Sequence, residues 1–293
     1  MKNNKKFFSK IFYIFIVLQS IHSEISLPTW LQNSINKNNF EKNSVVNPSI
    51  KNSIEEYYDL AYKRVVQIDN LSMLIPDSSV GVIDATGKYI SEQNGSFGLC
   101  CSGYAKWIAD GFYYPLRKKN HTRLRYMSIQ DLRKPYPFLR GNKFTFQYEE
   151  SRAPFFGLDW TRNIAKELAE EKYKKIFFYN SHDVTFSFKA EYVKDRGFPI
   201  EKIPEVLKEQ TLLYPNRWYL VSINGDFGEN PTMIQHYHIA VFFPYFNKDG
   251  IFRLPVLERT RRPSFDYLLS RYENTYCHLV WLELDGKIEL NLP

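Results

Sequence analysis

Hydrophobic residues recur every three or four positions in several segments of the 293-residue chain, which is the spacing of an amphipathic helix. In residues 101–112, for example, Tyr104, Trp107, Ile108 and Phe112 would share one helical face. The periodicity predicts four helices: one from Pro48 to about Ile68, one over 101–112, one from Asp159 or Thr161 to about Tyr173, and one over 203–208.

After Arg217 the pattern changes to short segments in which apolar residues alternate with others or run together, which is typical of strands. The predicted strands of this half are residues 218–223, 235–243, 251–258 and 276–284. Shorter strands are predicted earlier, over 80–83, 175–179 and 184–188. Helices followed by an antiparallel meander predict the α+β fold class.

The N-terminal residues have the pattern of a targeting segment. Four lysines precede the apolar run 11–18, and the chain turns polar before the small residue Ser23. The run is much shorter than the ~20 residues that span a bilayer, so we predict a signal peptide over 1–23, with an uncleaved membrane anchor as the alternative. The protein is therefore expected to be exported to the periplasm or cell envelope of a bacterium.

The rest of the chain divides by composition. Residues 24–47 are rich in Asn, Lys and Ser and predict a linker, so that 24–75 would hold this linker and the N-terminal helix. Residues 76–293 would form the main domain.

Net charge gives little reason to expect nucleic-acid binding. The full chain carries +7, but residues 1–23 contain four lysines and no acidic residue. Without them, 35 basic residues stand against 32 acidic ones, a net charge of +3. We therefore predict no nucleic-acid partner.

Cys101 lies where a turn-rich loop meets the predicted helix 101–112, with Ser96 or a neighbour as a candidate cap. Free N–H groups and the positive end of the helix dipole favour a thiolate at such a position. A thiolate is the form in which cysteine acts as a nucleophile. The alternative is a small cysteine that only packs in the core.

A cysteine nucleophile needs a base and a group that orients the base. Alternation places His236, His238 and Ala240 on one face of a predicted strand, and the small Ala240 would leave room for a helix end. The next strand ends at Glu258, which a hairpin can bring beside His238 unless this carboxylate faces water at a sheet edge. His182, between two predicted strands, is the rival base.

Other arrangements of these residues remain open. The three cysteines allow a bridge from Cys100 to Cys277 that leaves Cys101 free. His236 and His238 could hold a metal, but no third ligand is evident at close spacing, so no metal and no cofactor are predicted.

Two short motifs resemble the NlpC/P60 cysteine peptidases. Cys101-Ser102-Gly103-Tyr104 is similar to that family's Cys-Ser-Gly-aromatic nucleophile motif, and 238–242 is similar to its His-Val-Gly-Ile-Tyr strand. The resemblance implies a papain-like arrangement with the cysteine helix packed on an antiparallel sheet, and cleavage of amide bonds in bacterial cell-wall peptides. It implies Cys101 as nucleophile, His238 as base and Glu258 as third group.

The chain departs from this family at three places. Cys100 stands where the family usually has Asp, and Glu258 stands where it more often has His, Asn or Gln. The two motifs are also unusually far apart, so residues 115–215 would be an insertion.

These observations lead to three hypotheses. The first is an exported cysteine hydrolase that cleaves peptidoglycan peptides or another amide substrate and meets a membrane only through an uncleaved signal segment. The second is a thiol acyltransferase or amidase acting on lipid or protein substrates, motivated by the aromatic stretch 112–156. The third is a non-catalytic envelope binding protein that retains the fold.

Overall fold

The computed structural model describes residues 48–90, 97–120, 125–135, 155–226, 234–259, 264–284 and 286–293. The predicted signal peptide, the predicted linker over 24–47, and Ser96 lie outside the described residues.

The helices follow the hydrophobic periodicity closely, and the four predicted helices are confirmed. The described helices are α1 (Pro48–Ser72), α2 (Cys101–Asn120), α3 (Ile129–Leu132), α4 (Phe156–Tyr173), α5 (Ile203–Leu213, preceded by a 3-10 turn over Ile200–Lys202) and α6 (Phe265–Arg271). None of the helices in these described ranges is both long enough and apolar enough to cross a bilayer.

Helix α2 is longer than predicted because the chain accommodates a proline within it. Pro115 has no N–H and leaves the carbonyl of Gly111 without its helical partner. The N–H of Glu289 donates to that carbonyl at 2.8 Å instead. A side chain at Gly111 would meet Leu290, so the glycine lets the C-terminal segment come this close.

The strands form one main sheet and a small ribbon. They are β1 (Phe198–Pro199), β2 (Arg217–Asp226), β3 (Ile234–Phe242), β4 (Tyr245–Phe246), β5 (Phe252–Arg253), β6 (Val256–Leu257) and β7 (Tyr276–Glu283). The main sheet has the order β1-β7-β2-β3-β6 with every pair antiparallel, and β4 pairs with β5 separately. An antiparallel sheet with helices confirms the α+β class.

Alternate strand residues fill two separate cores, because successive side chains point to opposite faces of the sheet. The first core cluster holds Leu220, Ile239 and Val241 together with buried residues of α1, α2 and α4. The second core cluster holds Val221 and Ala240 together with buried residues of α5 and α6. The sheet is therefore covered by helices on both faces.

Several predicted strands are wrong. Residues 80–83, 175–179 and 184–188 form no strand, although isolated bridges occur at Ile83 and Asp183. The predicted strand 251–258 is interrupted at Leu254-Pro255, and its two halves, β5 and β6, pair in different sheets. Pro255 cannot donate a ladder hydrogen bond, which accounts for the break.

The segment 115–215 contributes to both cores. Trp160, Ile164 and Leu168 of α4 belong to the first core cluster. Val206 and Leu207 of α5 belong to the second. The described part of this segment is therefore an integral part of the domain, although the sequence suggested an insertion.

Candidate active site

The N-terminus of α2 presents Cys101, and the residue before it caps the helix. The carbonyl of Cys100 accepts from the N–H of Tyr104 at 2.8 Å, which begins the helical ladder. The Sγ of Cys100 accepts from the N–H of Gly103 at 3.4 Å and contacts the Oγ of Ser102 at 3.1 Å. A side-chain acceptor bonded to the third helical N–H is the usual N-cap arrangement, and here a thiol provides it.

Two further contacts hold this helix end in place. A Cβ at Gly103 would lie 2.1 Å from the carbonyl oxygen of Gly81, so only glycine permits the loop at 81–82 to approach. The indole N–H of Trp160 donates to the carbonyl of Ser102 at 3.0 Å. The nucleophile position is therefore fixed by packing from α4 and from the preceding loop.

The thiol of Cys101 lies beside the imidazole of His238, and each group shifts the pKa of the other. The backbone N–H groups of Ile239 and Ser102 also lower the pKa of this thiol. Cys101 remains partly exposed, whereas His238 is buried. The sulfur thus lies between the helix end and β3, within reach of a molecule that approaches from solvent.

Glu258 holds the other side of the His238 ring. His238 Nε2 lies 2.7 Å from Glu258 Oε2, which leaves Nδ1 as the ring nitrogen for the sulfur. Arg271, on α6, donates to the second carboxylate oxygen of Glu258. Tyr272 stacks on the His238 ring with centroids 5.3 Å apart. The ring is therefore fixed in both orientation and tautomer.

The sheet register explains how Glu258 reaches His238. Strand β6 pairs Val256 with Phe242 and Leu257 with Val241, so the residue after β6 continues toward Ala240. Glu258 is consequently a diagonal neighbour of His238, a distance that long side chains span. At 5% exposure the carboxylate faces the interior, so the alternative of a solvent-facing edge charge is wrong.

The electrostatics of the pair favour charge separation. Burial by itself would raise the pKa of the Cys101 thiol, but the hydrogen bond and charge of His238 and the two N–H donors hold the pKa below its usual value. Burial would lower the pKa of His238, but hydrogen bonds and charge from Cys101 and Glu258 raise it to about 9. Both shifts therefore favour a thiolate beside an imidazolium.

The rival base lies elsewhere. His182 packs between Trp281 and Phe177, with ring centroids 4.4 Å and 5.3 Å away, and lines a cavity beside the second half of α2. Burial lowers the pKa of His182 to about 4, so its ring is neutral. The structure brings His238, not His182, to the Cys101 sulfur.

The other two cysteines are free thiols, and the possible Cys100–Cys277 bridge is not formed. Cys100 packs against the first core cluster, whereas Cys277 lies in the second, on the opposite face of the sheet. Burial raises the pKa of both thiols, so neither is activated as Cys101 is.

His236 and His238 do not act as a pair of metal ligands. His236 Nδ1 lies 2.9 Å from Ser222 Oγ, and its Nε2 lies 2.6 Å from the carbonyl oxygen of Asp195. With both ring nitrogens occupied, His236 has none for a metal. Within the described ranges, no group of three or more His, Cys, Asp or Glu side chains is placed to hold an ion.

Two positions near the site were not anticipated from the sequence. Arg271 and Tyr272 lie at the end of α6, a seven-residue helix that the periodicity did not reveal. The expectation about Ala240 was wrong: this residue packs in the second core cluster, on the face opposite to α2, and does not make room for the helix end.

Comparison of the chain with protein-family models, with curated proteins and with solved structures found no match.

Proposed function

We propose that the protein is a cysteine hydrolase that cleaves amide bonds through an acyl-enzyme on Cys101. The observation that carries this proposal is the placement of Cys101, at a helix N-terminus, beside His238, which is held by Glu258 through Nε2. Nucleophile, base and orienting group in this order are what cysteine-dependent acyl transfer requires.

The chemistry follows from the charges at the site. The Cys101 thiolate attacks the carbonyl carbon of the amide, and the bond to the leaving nitrogen breaks as the His238 imidazolium gives that nitrogen its proton. The product is a thioester on Cys101 and a free amine. A water molecule then attacks the thioester, with His238 taking its proton, and Cys101 leaves as thiolate.

The substrate class rests on the resemblance to NlpC/P60 enzymes. Helix α2 carrying the cysteine, its packing on an antiparallel sheet, and the histidine on a neighbouring strand support a papain-like arrangement of this type. We propose peptidoglycan peptides as substrates, and the lysine-rich and apolar N-terminal sequence supports export to the periplasm or envelope.

Measuring whether the Cys101→Ala variant still cleaves cell-wall peptides tests this proposal. Purified muropeptides are incubated with each protein and the products are measured by mass spectrometry. We expect the wild type and a Cys277→Ala control to cleave, and Cys101→Ala to be inactive. Full activity in Cys101→Ala would overturn the proposal.

Thiol labelling tests the mechanism separately from the substrate. Iodoacetamide at neutral pH is expected to modify Cys101 faster than Cys100 or Cys277, because only Cys101 has its pKa lowered by its surroundings. Rapid labelling of Cys101 without muropeptide cleavage would support an activated thiol and reject muropeptides as the substrate class. Equal labelling of the three cysteines would reject the activated nucleophile.

A further inference from the structure

A second cavity lies away from Cys101, between the second half of α2, helix α4 and the end of β7. Its volume is about 150 Å³. Phe112 is the first residue of α2 in its wall, eleven positions after Cys101, which is about 16 Å along a helix that rises 1.5 Å per residue. This cavity is therefore separate from the candidate active site.

Most of the wall is apolar, and its size corresponds to a single ring. Its apolar side chains come from all three elements: Phe112, Leu116, Ala165, Leu168, Ala169 and Trp281. A cavity of about 150 Å³ lined by such residues accommodates benzene in a well-studied protein. The apolar part of a ligand in this cavity would have about six heavy atoms.

An aromatic surface forms one side. The rings of His182 and Trp281 pack with centroids 4.4 Å apart, and both residues line the cavity. His182 is 4% exposed, and its Nδ1 has no hydrogen-bond partner within the described residues. The imidazole is neutral because burial lowers its pKa to about 4, so this wall favours contact with an apolar ring.

The charged residues around the cavity are predominantly basic. Lys119, Lys172 and Lys287 line it, against one carboxylate, Glu283. Lys172 is paired with Glu283. Lys119 and Lys287 are exposed, and the described residues provide no ion-pair partner for either. An excess of two positive charges therefore lies beside an apolar space.

We propose that this cavity binds a small carboxylate with a ring-sized apolar body, the ring against Trp281 and His182 and the carboxylate toward Lys119 and Lys287. The contribution of each part is distinct: the apolar wall selects size, and the two lysines select negative charge. The proposal does not depend on the activity of Cys101.

Three matched probes separate these contributions in the full chain. Binding of 3-phenylpropionate, 3-phenylpropanol and 3-phenylpropylamine is measured by isothermal titration calorimetry and by Trp fluorescence. We expect the carboxylate to bind at least about tenfold more tightly than the alcohol, which corresponds to 1.4 kcal/mol, and the amine to bind most weakly. The Cys101→Ala variant should bind all three as the wild type does.

Two variants and one control locate the site. The double variant Lys119→Ala/Lys287→Ala should reduce the affinity for the carboxylate to that for the alcohol. Ala169→Leu places extra atoms in the cavity and should weaken both probes equally. Lys118→Ala is the control, because Lys118 neighbours Lys119 but pairs with Glu289 and does not line the cavity.

Three results would overturn the proposal. They are no binding of the carboxylate up to about 10 mM, equal affinity for the three probes, or unchanged binding in the double lysine variant. Because the two lysines are exposed, that variant is expected to fold, so a negative result would bear on the site itself. Loss of muropeptide cleavage in Cys101→Ala with retained probe binding would show the two sites to be independent.

Discussion

Glu258 Oε2 accepts a hydrogen bond from His238 Nε2 at 2.7 Å, between the end of β6 and the middle of β3. This carboxylate is buried and also bonded to Arg271, so it is fixed in position and can affect the histidine in two ways. It directs the other ring nitrogen to Cys101, and its charge stabilises the imidazolium.

The Glu258→Gln variant separates these two roles. The amide can still accept from His238 but carries no charge, so the pKa of His238 should fall and that of Cys101 should rise. Each unit of increase in the Cys101 pKa reduces the thiolate population about tenfold below that pKa. We expect alkylation of Cys101 by iodoacetamide at pH 6 to be about tenfold slower in this variant, which corresponds to a pKa increase of about one unit.

Glu289→Gln is the control for Glu258→Gln, because Glu289 pairs with Lys118 on the surface. Its alkylation rate should equal that of the wild type. If Glu258→Gln also reacts at the wild-type rate, the charge of Glu258 does not activate the thiol.

Activity and labelling should depend on pH in different ways. Amide cleavage needs the Cys101 thiolate, present above its lowered pKa, and the His238 imidazolium, present below a pKa of about 9. Cleavage should therefore show a bell-shaped profile with a basic limb near pH 9. Alkylation needs only the thiolate, so it should rise on the acid side and remain high above pH 9.

The two profiles are measured on the same protein with muropeptide and iodoacetamide. Labelling that rises only near pH 8.5, the ordinary pKa of a cysteine, would contradict the ion pair. A parallel fall of both rates above pH 9 would show that the protein loses its structure there, which circular dichroism at the same pH values would detect.

The parts of the site that sequence predicts best are those that depend on local periodicity. Helical spacing placed Cys101 at the start of α2, and strand alternation with a short hairpin placed His238 near Glu258. Both features follow from neighbouring residues, and the pairing of β3 with β6 needs only the connection between them.

The parts that sequence did not predict depend on distant elements. Residues 175–179 and 184–188 have apolar alternation, yet Ile176 and Phe178 are 91% and 83% exposed because these segments pair with no strand beyond one bridge at Asp183. Arg271 reaches Glu258 only because α6 packs on the second core cluster. Alternation shows which residues could form a strand but not whether a free sheet edge exists to receive it.

A buried ion pair in α2 offers a stability test near the site. Lys106 and Asp110 lie one turn apart, and Asp110 also accepts from the N–H of Met127 at 2.9 Å. Burial raises the pKa of Asp110 to about 6, although Lys106 opposes this. Lys106→Met leaves a buried carboxylate without its partner, so we expect a loss of about 3–5 kcal/mol at pH 7.

The sign of the pH dependence identifies the cause of that loss. The pKa of Asp110 is already raised to about 6 in the wild type, and removing Lys106, which lowers it, raises it further above the unfolded value of about 3.9. Between pH 7 and pH 5 the folded variant therefore gains more protons, relative to its unfolded state, than the wild type does. Protonation then favours the folded state, so the deficit relative to the wild type should shrink from pH 7 to pH 5. Urea unfolding at both pH values measures it, and Lys118→Met should cost at most about 1 kcal/mol. An equal deficit at both pH values would point to lost packing instead.

Replacing the thiol that caps α2 tests why Cys100 precedes the nucleophile. Sulfur is a weak acceptor, so the carboxylate of Cys100→Asp or the amide of Cys100→Asn should bond the Gly103 N–H more strongly. Each variant is expected to gain about 1 kcal/mol, or about 2–4 °C in melting temperature. Only Asp adds a negative charge beside Cys101, which disfavours the thiolate, so only Cys100→Asp should slow alkylation of Cys101 at pH 6. Equal labelling rates in the Asp and Asn variants would show that a charge at position 100 does not change the pKa of Cys101. A loss of stability in both variants would show that packing, and not capping of α2, explains the cysteine at position 100.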